Sequence, residues 1–477
     1  MGYSTYVENI QNYFRNVTHN SVGVEREFLE CIATGEVGRA IGLMDGNDTD
    51  VENALTEYYP QKHKVMSRRD KHPKGKDVYY VCKLPRARQR YINEIELFFL
   101  LGNPIKWSKI DGSDAAFNLF KDFLRETRFD STMRSVKRIA GSETEAAKLY
   151  HLYRDENNNA QISVVTLARS KGYRLRTMFD QYGNLVAFAY GYVLREKGKG
   201  VMHWDIQTAQ NLIYCSKGAT AWDVEILPNP TGKINILYYR QPKAWDGVEP
   251  RLEREEMLDS KIGDANNYFA DPTLVATADA ISSIADTNTT GKLIQITGTN
   301  SDVRYLNPPQ SSELRTQEKQ DLRDSILFDT FTPDFSFEAL KGLGTLSGKA
   351  IKNAMSLAYI KRANRIEMYG EVVDREKNVI IACLKFLHPE MTAEFDKLKV
   401  SFEFSEPFDE DIQSGWSAIS QLYSSGLISL ETAISELGVT DAPKQELKRI
   451  QSEKGAQAKS EEEKPQEIDK NETKTNE

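Results

Sequence analysis

Apolar positions recur every three to four residues early in the chain and every two residues further on. In RARQRYINEIELFFLLGNPIKW, Tyr91, Ile95 and Phe98 fall at i, i+4 and i+7, which predicts a helix ended by Gly102 and Pro104. A second helix follows Ser113, whose hydroxyl suits an N-cap, with Phe117, Phe120 and Leu124 on one face. A third runs from about Ser131 to Ala140. From Leu149 to Tyr239 the period is two, in ISVVTLA, LVAFAYGYVL, NLIYCS, WDVEILP and KINILYY, with the turn signals DENNN, DQYGN, EKGKG and NPTGK between them. This predicts a largely antiparallel meander with one face on the preceding helices, so residues 1–240 read as an α+β domain.

Pro242 and Pro250 bracket a linker, QPKAWDGVEP. Beyond it Leu258, Ile262, Ala265 and Phe269 form one narrow apolar stripe on a helix whose opposite face is charged. Residues 270–311 lose helical period and carry two short β signals, KLIQIT and DVRYL. Helical character returns from Ser312 to about Phe328, again with little apolar surface. Two narrow-stripe helices around a small β module make a poor monomeric core and suit packing against neighbours. After DTFTPDFSFEALKGLGTLSGKA, a helical pattern runs from Ser347 to about Leu387, interrupted only by Gly370 and stopped by Pro389. Some 40 residues make a rod of roughly 60 Å. The strand KVSFEF, a helix containing Trp416, Ile419 and Leu422, a helix capped by Ser429, and a last helix opened by Pro443 complete the ordered pattern. The Glu- and Lys-rich residues after Gly455 predict a disordered tail.

Length and an apolar fraction of 40% allow two or three globular domains. The four cysteines are far apart without a CxxC pair, which reads as buried thiols in a reducing compartment. No apolar run reaches the roughly 20 residues of a membrane span, and the start lacks signal-peptide order. A net charge of −8 argues against tight gripping of nucleic acid, but not against a surface that DNA slides past.

Gly344 to Lys349 invites a phosphate-cradle reading that fails: one residue is missing between the glycines, Ala350 stands where Ser or Thr is needed, and no buried strand precedes it. The six histidines are scattered without HExxH or His-x-His pairing, so no metal site is expected. His203 and Asp205 in VMHWDIQ read as residues of an alternating strand rather than a catalytic pair. Asp409, Glu410 and Asp411 suit a helix N-terminus better than a cation site. Arg86, Arg88 and Arg90 read as a solvated or subunit-bridging face rather than a phosphate contact.

Taken in order, LLGNPIKW at 100–107, the meander from Ala140 to Tyr239, ILYYRQPKAWDGVEPRLEREEMLDSKIGDANNYF, DTFTPDFSFEALKGLGTLSGKAIKNAMSLAYIKRA and WSAISQLYSSGLISLETAISELGVTDAPKQELKRIQSE resemble segments of the portal proteins of tailed bacteriophages of the Siphoviridae type. The resemblance covers nearly the whole chain after residue 50. It implies an α+β portal fold: a wing with helices then an antiparallel sheet at 1–250, stem helices at 251–269 and 312–329, and a small β-containing clip at 270–311. A tunnel loop at 330–346, a long spanning wing helix and strand at 347–407, a helical crown at 408–455 and a tail at 456–477 follow.

The resemblance further implies a non-enzymatic subunit of a dodecameric ring at the capsid vertex, without cofactor, metal or membrane. Double-stranded DNA would pass through the ring during packaging and ejection. Terminase and head-to-tail adaptor would meet the clip, where Lys292, Asp302, Arg304 and Tyr305 are candidates, and the major capsid and scaffold proteins the wing. Leu258, Ile262, Ala265 and Phe269 would pack the stem. Phe331, Phe335, Phe337, Lys341, Gly342, Gly344, Ser347, Gly348 and Lys349 would form the tunnel loop and helix opening, the phenylalanines anchoring it and Lys341 touching phosphate weakly. The expected location is the virion, with host cytoplasm during assembly. The competing readings are another oligomeric head-closure or baseplate scaffold, and a metal-dependent nucleic-acid enzyme.

Overall fold

The first described elements are helices absent from the sequence reading. In the computed structural model, which describes residues 24–72, 78–196, 198–270, 274–276, 303–305, 312–336, 341, 352–353, 355–408, 412–437 and 446–453, these are α1 (Val24–Ala33), α2 (Val37–Gly42) and α3 (Asp48–Tyr58). The described residues divide into two units, Met1–Ala339 with Met355–Pro407, and Leu340–Ala354 with Phe408–Glu477. The first unit continues with α4 (Arg88–Leu101), β1 (Ile105–Asp111), α5 (Asp114–Glu126) and α6 (Phe129–Glu143). Ser113 caps α5, its hydroxyl accepting the Ala116 N–H at 3.1 Å.

Helix α4 turns a different face inward from the one its apolar spacing predicts. Gln89, Ile92, Asn93, Glu96, Phe99 and Leu100 are buried, while Phe98 stands 38% exposed. Glu96 occupies the inner face because buried cations pair with it, and the Asn93 amide donates to Arg138 O at 2.8 Å, pairings that hydrophobic periodicity does not register.

The period-two region makes two sheets. Strands β2 (Glu145–Arg154) and β3 (Ala160–Leu167) join β9 (Ile236–Arg240) in the order β3-β2-β9. Between them in sequence, β4 (Arg174–Phe179), β5 (Leu185–Glu196), β6 (Lys199–Thr208), β7 (Asn211–Lys217) and β8 (Trp222–Pro228) form an antiparallel meander. Burial on one face was expected, but the meander is covered on both. Ala187, Ala189, Ile206 and Ile213 pack with Phe28, Ile32 and Ile41 of α1 and α2. Phe188 and Tyr190 pack with Leu149, Leu167 and Ile236 of the three-stranded sheet. The unbroken apolar run LVAFAY in β5 is what burial on both faces requires.

The stretch 241–250 is not a free linker. Trp245 is fully buried, stacks on Tyr58 at 5.7 Å and donates its indole N–H to Glu57 at 2.8 Å. It leads into α7 (Glu249–Ala270). Next come the short antiparallel pair β10 (Leu274–Ala276) and β11 (Val303–Tyr305), then α8 (Ser312–Asp329). Strand β11 lies within DVRYL; the second β signal, KLIQIT, lies outside the described residues.

The long helix α9 spans Ser356–Leu387, 32 residues and therefore about 48 Å. The pattern predicted a start at Ser347, but Met355 sits at its N-cap with φ −103° and ψ 20°, outside helical geometry. Helix α10 (Thr392–Lys397) and β12 (Lys399–Phe404) follow, and β12 pairs antiparallel with β1, Trp107 opposite Phe402. The largest core lies under this ribbon, where Phe120, Phe129, Met133, Tyr150, Val373, Ile380 and Phe395 meet. In the second unit, α11 (Ile412–Ser424) and α12 (Leu430–Leu437) pack together, Ser429 capping α12 through the Thr432 N–H at 3.1 Å, and residues 446–453 are helical.

Candidate functional site

Three groups of charged residues tie α9 to α4, α6 and the three-stranded sheet, and α7 to the residues before α4, and none was legible as such in the sequence. The first surrounds Glu96 of α4, whose side chain is 1% exposed. Lys137 of α6 reaches it at 2.6 Å, Lys361 and Arg365 of α9 each at 2.9 Å, and Gln241 at 3.1 Å. Burial by itself would raise the pKa of this carboxyl, but the two ammonium groups and the guanidinium outweigh that and hold it well below the usual carboxylate range. With three cations around one carboxylate, burial prevails at Lys137 and lowers its pKa to about 8.

The second group lies further along α9. Glu376 and Lys148 are fully buried and 2.6 Å apart. The hydroxyls of Tyr150 and Tyr239 donate to the two oxygens of Glu376 at 2.5 and 2.6 Å. Lys148 also sits 4.5 Å from the Phe129 ring centre.

The third group straps α7. Residues 63–68 and 82–88 run along this helix, and its carboxylates point at them. His63 Nδ1 lies 2.6 Å from Glu256, Arg68 pairs with Asp264 at 2.6 Å, and Arg88 pairs with Glu255 at 2.8 Å. Arg86 pairs with Asp259 and donates its backbone N–H to Glu256 at 2.8 Å. Arg86 and Arg88 are therefore half-buried intramolecular anchors and not a fully solvated face. The charged face predicted to look away from the core is largely covered: Glu255, Glu256 and Asp259 are all buried. Gly263 makes room for the strap, since a Cβ there would stand 3.0 Å from Cys82 Sγ. Cys82 itself is half-buried, unlike the other three cysteines.

Of the predicted stem positions, Leu258 is buried and Ile262 and Ala265 are half-buried; Phe269 lies near the end of α7, its side chain outside the described residues. Arg304 and Tyr305 lie on β11. Lys292, Asp302, Phe337, Gly342, Gly344, Ser347, Gly348 and Lys349 lie outside the described residues, and Lys341 is exposed. His203 stacks on Tyr192 at 5.4 Å, and the Tyr192 hydroxyl donates to Asp205 at 3.2 Å, an ordinary sheet setting.

The start of the predicted loop, residues 330–336, is firmly held. Helix α8 ends in a Schellman motif: the Thr332 N–H reaches Leu327 O at 2.8 Å and the Phe331 N–H reaches Phe328 O at 3.0 Å. Phe331 occupies the left-handed position of this motif with φ 53°, where glycine is preferred, although its side chain is 40% exposed. Phe331→Gly is therefore expected to raise stability by about 1 kcal/mol in thermal unfolding. A loss instead would show that the ring's contacts beside Ile95, Phe99 and Ala358 outweigh the backbone strain. Phe335 is half-buried with its ring 6.5 Å from that of Phe99.

Among the described residues no group of three or more His, Cys, Asp or Glu side chains is placed to hold a metal ion. No described helix is long and apolar enough to cross a membrane. Two sheets, the strapped helix α7 and a long helix held by buried ion pairs make a scaffold braced by internal charge. Residues 49–460 match the family model described as phage portal protein, SPP1 Gp6-like. The chain belongs to this family: it is a portal protein, the structural and non-catalytic component of the capsid vertex channel for DNA packaging and ejection in the virion. No curated protein matches the sequence. Among solved structures, a chain from the neck of a native gene transfer agent particle, computed with C12 symmetry, is similar at 10% identity and TM-score 0.41, over 74% of this chain and 91% of that one. A chain from the neck of the empty particle, computed with C6 symmetry, is similar at 10% identity and TM-score 0.40, over 82% of this chain and 94% of that one. The assignment rests on the family match.

Proposed function

We propose that this portal subunit works in a closed dodecameric ring, with α7 and α8 as its stem, residues 270–311 as its clip and residues 330–346 as the loop that meets DNA. Terminase and the head-to-tail adaptor dock at the clip, and capsid and scaffold proteins at the wing. Assembly takes place in the host cytoplasm before the ring enters the virion. The observation that supports this reading best is the outer surface of α8. Leu314 is 71% exposed and Phe328 66% exposed, whereas much of the charge on α7 is already neutralised inside the subunit. Large apolar side chains on a stem helix suit burial against a second copy, and a head-to-tail contact of that kind closes into a ring. Electron microscopy of the purified protein is expected to show rings of twelve with a hole as wide as duplex DNA. A monodisperse monomer, or a ring with no such hole, would overturn the reading. Leu314→Glu together with Phe328→Glu is expected to shift the protein from rings to monomers in size-exclusion chromatography.

A further inference from the structure

Residues 330–336 leave the end of α8 and would be expected, as the first part of a loop, to be loosely held. Instead two side chains from different elements grip them. Tyr91, at the start of α4, donates its hydroxyl to Pro333 O at 2.8 Å and accepts the Phe335 N–H at 2.9 Å. One phenol thus holds the backbone on both sides of Asp334. Lys361, on α9, donates to Thr330 O at 2.9 Å and to Ala244 O at 3.1 Å, and pairs with Glu96 at 2.9 Å. These three partners use all three protons of its ammonium group. Thr330 is buried and its hydroxyl donates to Ile326 O at 2.8 Å, so the lysine grips a carbonyl already fixed to the stem helix. Asp334 closes the segment by accepting the Ser336 N–H at 2.9 Å and pairing with Arg323 at 2.5 Å.

We propose that Tyr91 and Lys361 are positioning residues that couple the stem to the long helix: they fix residues 330–336, so that displacement of the α8 end passes to α9 and to the Glu96 group instead of dissipating in the connection. This rests on the reading of α8 as a stem helix. The geometry favours transmission because every bond made by Tyr91 and Lys361 reaches a backbone group or a buried carboxylate. Lys361 also touches the stem end, the 241–250 stretch and α4 at once. A polar side chain that merely filled space would not need partners on three elements.

The test compares wild-type, Tyr91→Phe, Lys361→Arg and Lys361→Gln rings. Tyr91→Phe keeps the ring and removes only the hydroxyl. Hydrogen exchange at the Phe335 amide is expected to rise about tenfold, the change that loss of one hydrogen bond produces, with exchange in the α9 core unchanged. Packaged-particle yield should fall severalfold although the rings form normally. Unaltered exchange at Phe335, or normal packaging despite faster exchange, would overturn the coupling. Lys361→Arg keeps a cation that can donate to Thr330 O and Ala244 O and is expected to package far better than Lys361→Gln; equal yields from the two would also overturn it. Failure of wild-type protein to form rings counts against the stem reading, which separates the two failures.

Discussion

Lys148→Met is expected to cost about 3–5 kcal/mol of folding stability, because it leaves the fully buried Glu376 without its cation. Glu376→Leu should cost at least as much. It strands a buried ammonium and also removes the acceptor of the Tyr150 and Tyr239 hydroxyls, both in the buried core. The double variant Lys148→Met with Glu376→Gln should recover a large part of the loss, since the amide can still meet one hydroxyl and no charge is left unpaired. Denaturant unfolding of the purified proteins measures all three. A Lys148→Met protein within about 1 kcal/mol of wild type would mean that the two tyrosines alone hold the carboxylate.

The second large effect is an asymmetry around Glu96. Glu96→Gln leaves Lys137, Lys361 and Arg365 facing one another without a counter-charge, and about 3–5 kcal/mol of destabilisation is expected. Lys137→Met leaves two cations on the same carboxylate and removes the most strongly desolvated one, so its cost should be about 1 kcal/mol or less. The pH dependence follows from the directions of the shifts. The Glu96 carboxyl titrates well below its unfolded value, so its contribution is complete above the ordinary carboxylate range and is lost as pH falls through the lowered folded value. Lys137 is also lowered, from 10.5 to about 8. Between those values the unfolded chain holds more protons than the folded one, so wild type should gain stability relative to Lys137→Met as pH rises from about 8 to about 10. Equal cost for the two substitutions at pH 7, or a slope of opposite sign in that window, would exclude this account of the cluster.

Much of the architecture was written in the hydrophobic pattern. Ser113 and Ser429 mark helix starts, Pro389 marks the end of α9, and the period-two segments give most of the strands. Division into two sheets was not legible, because alternation specifies a strand and not its neighbours. Strand β1 was missed although Ile105 and Trp107 alternate with Lys106 and Ser108 directly after Pro104. Its partner lies at Lys399–Phe404, and no local signal joins the two.

The ion-pair groups were hidden for a different reason. Nothing in the sequence assigns partners to Lys361, Arg362 and Arg365: Arg362 donates to Phe99 O and Phe404 O, each at 2.9 Å, and the other two meet Glu96. Basic residues at helical spacing beside Ala358 and Tyr369 were the available clue. It becomes informative only once Glu96 is known to lie on the inner face of α4. The family resemblance supplied the function that composition and spacing alone could not.

The ribbon of β1 and β12 also governs when a newly made chain can finish folding. About 290 residues separate its two strands, so at roughly 5–20 residues per second β1 waits about 15–60 s for a partner. Trp107 of β1, and Phe120 packed against it, stay incompletely covered until Phe402 has been translated. Glu96 likewise precedes Lys361 and Arg365 in synthesis, and the core around it closes late. Subunits still attached to ribosomes therefore lack a finished core beneath β1 and β12, which makes completion of the polypeptide, rather than encounter between chains, the earliest checkpoint on the number of assembly-competent copies.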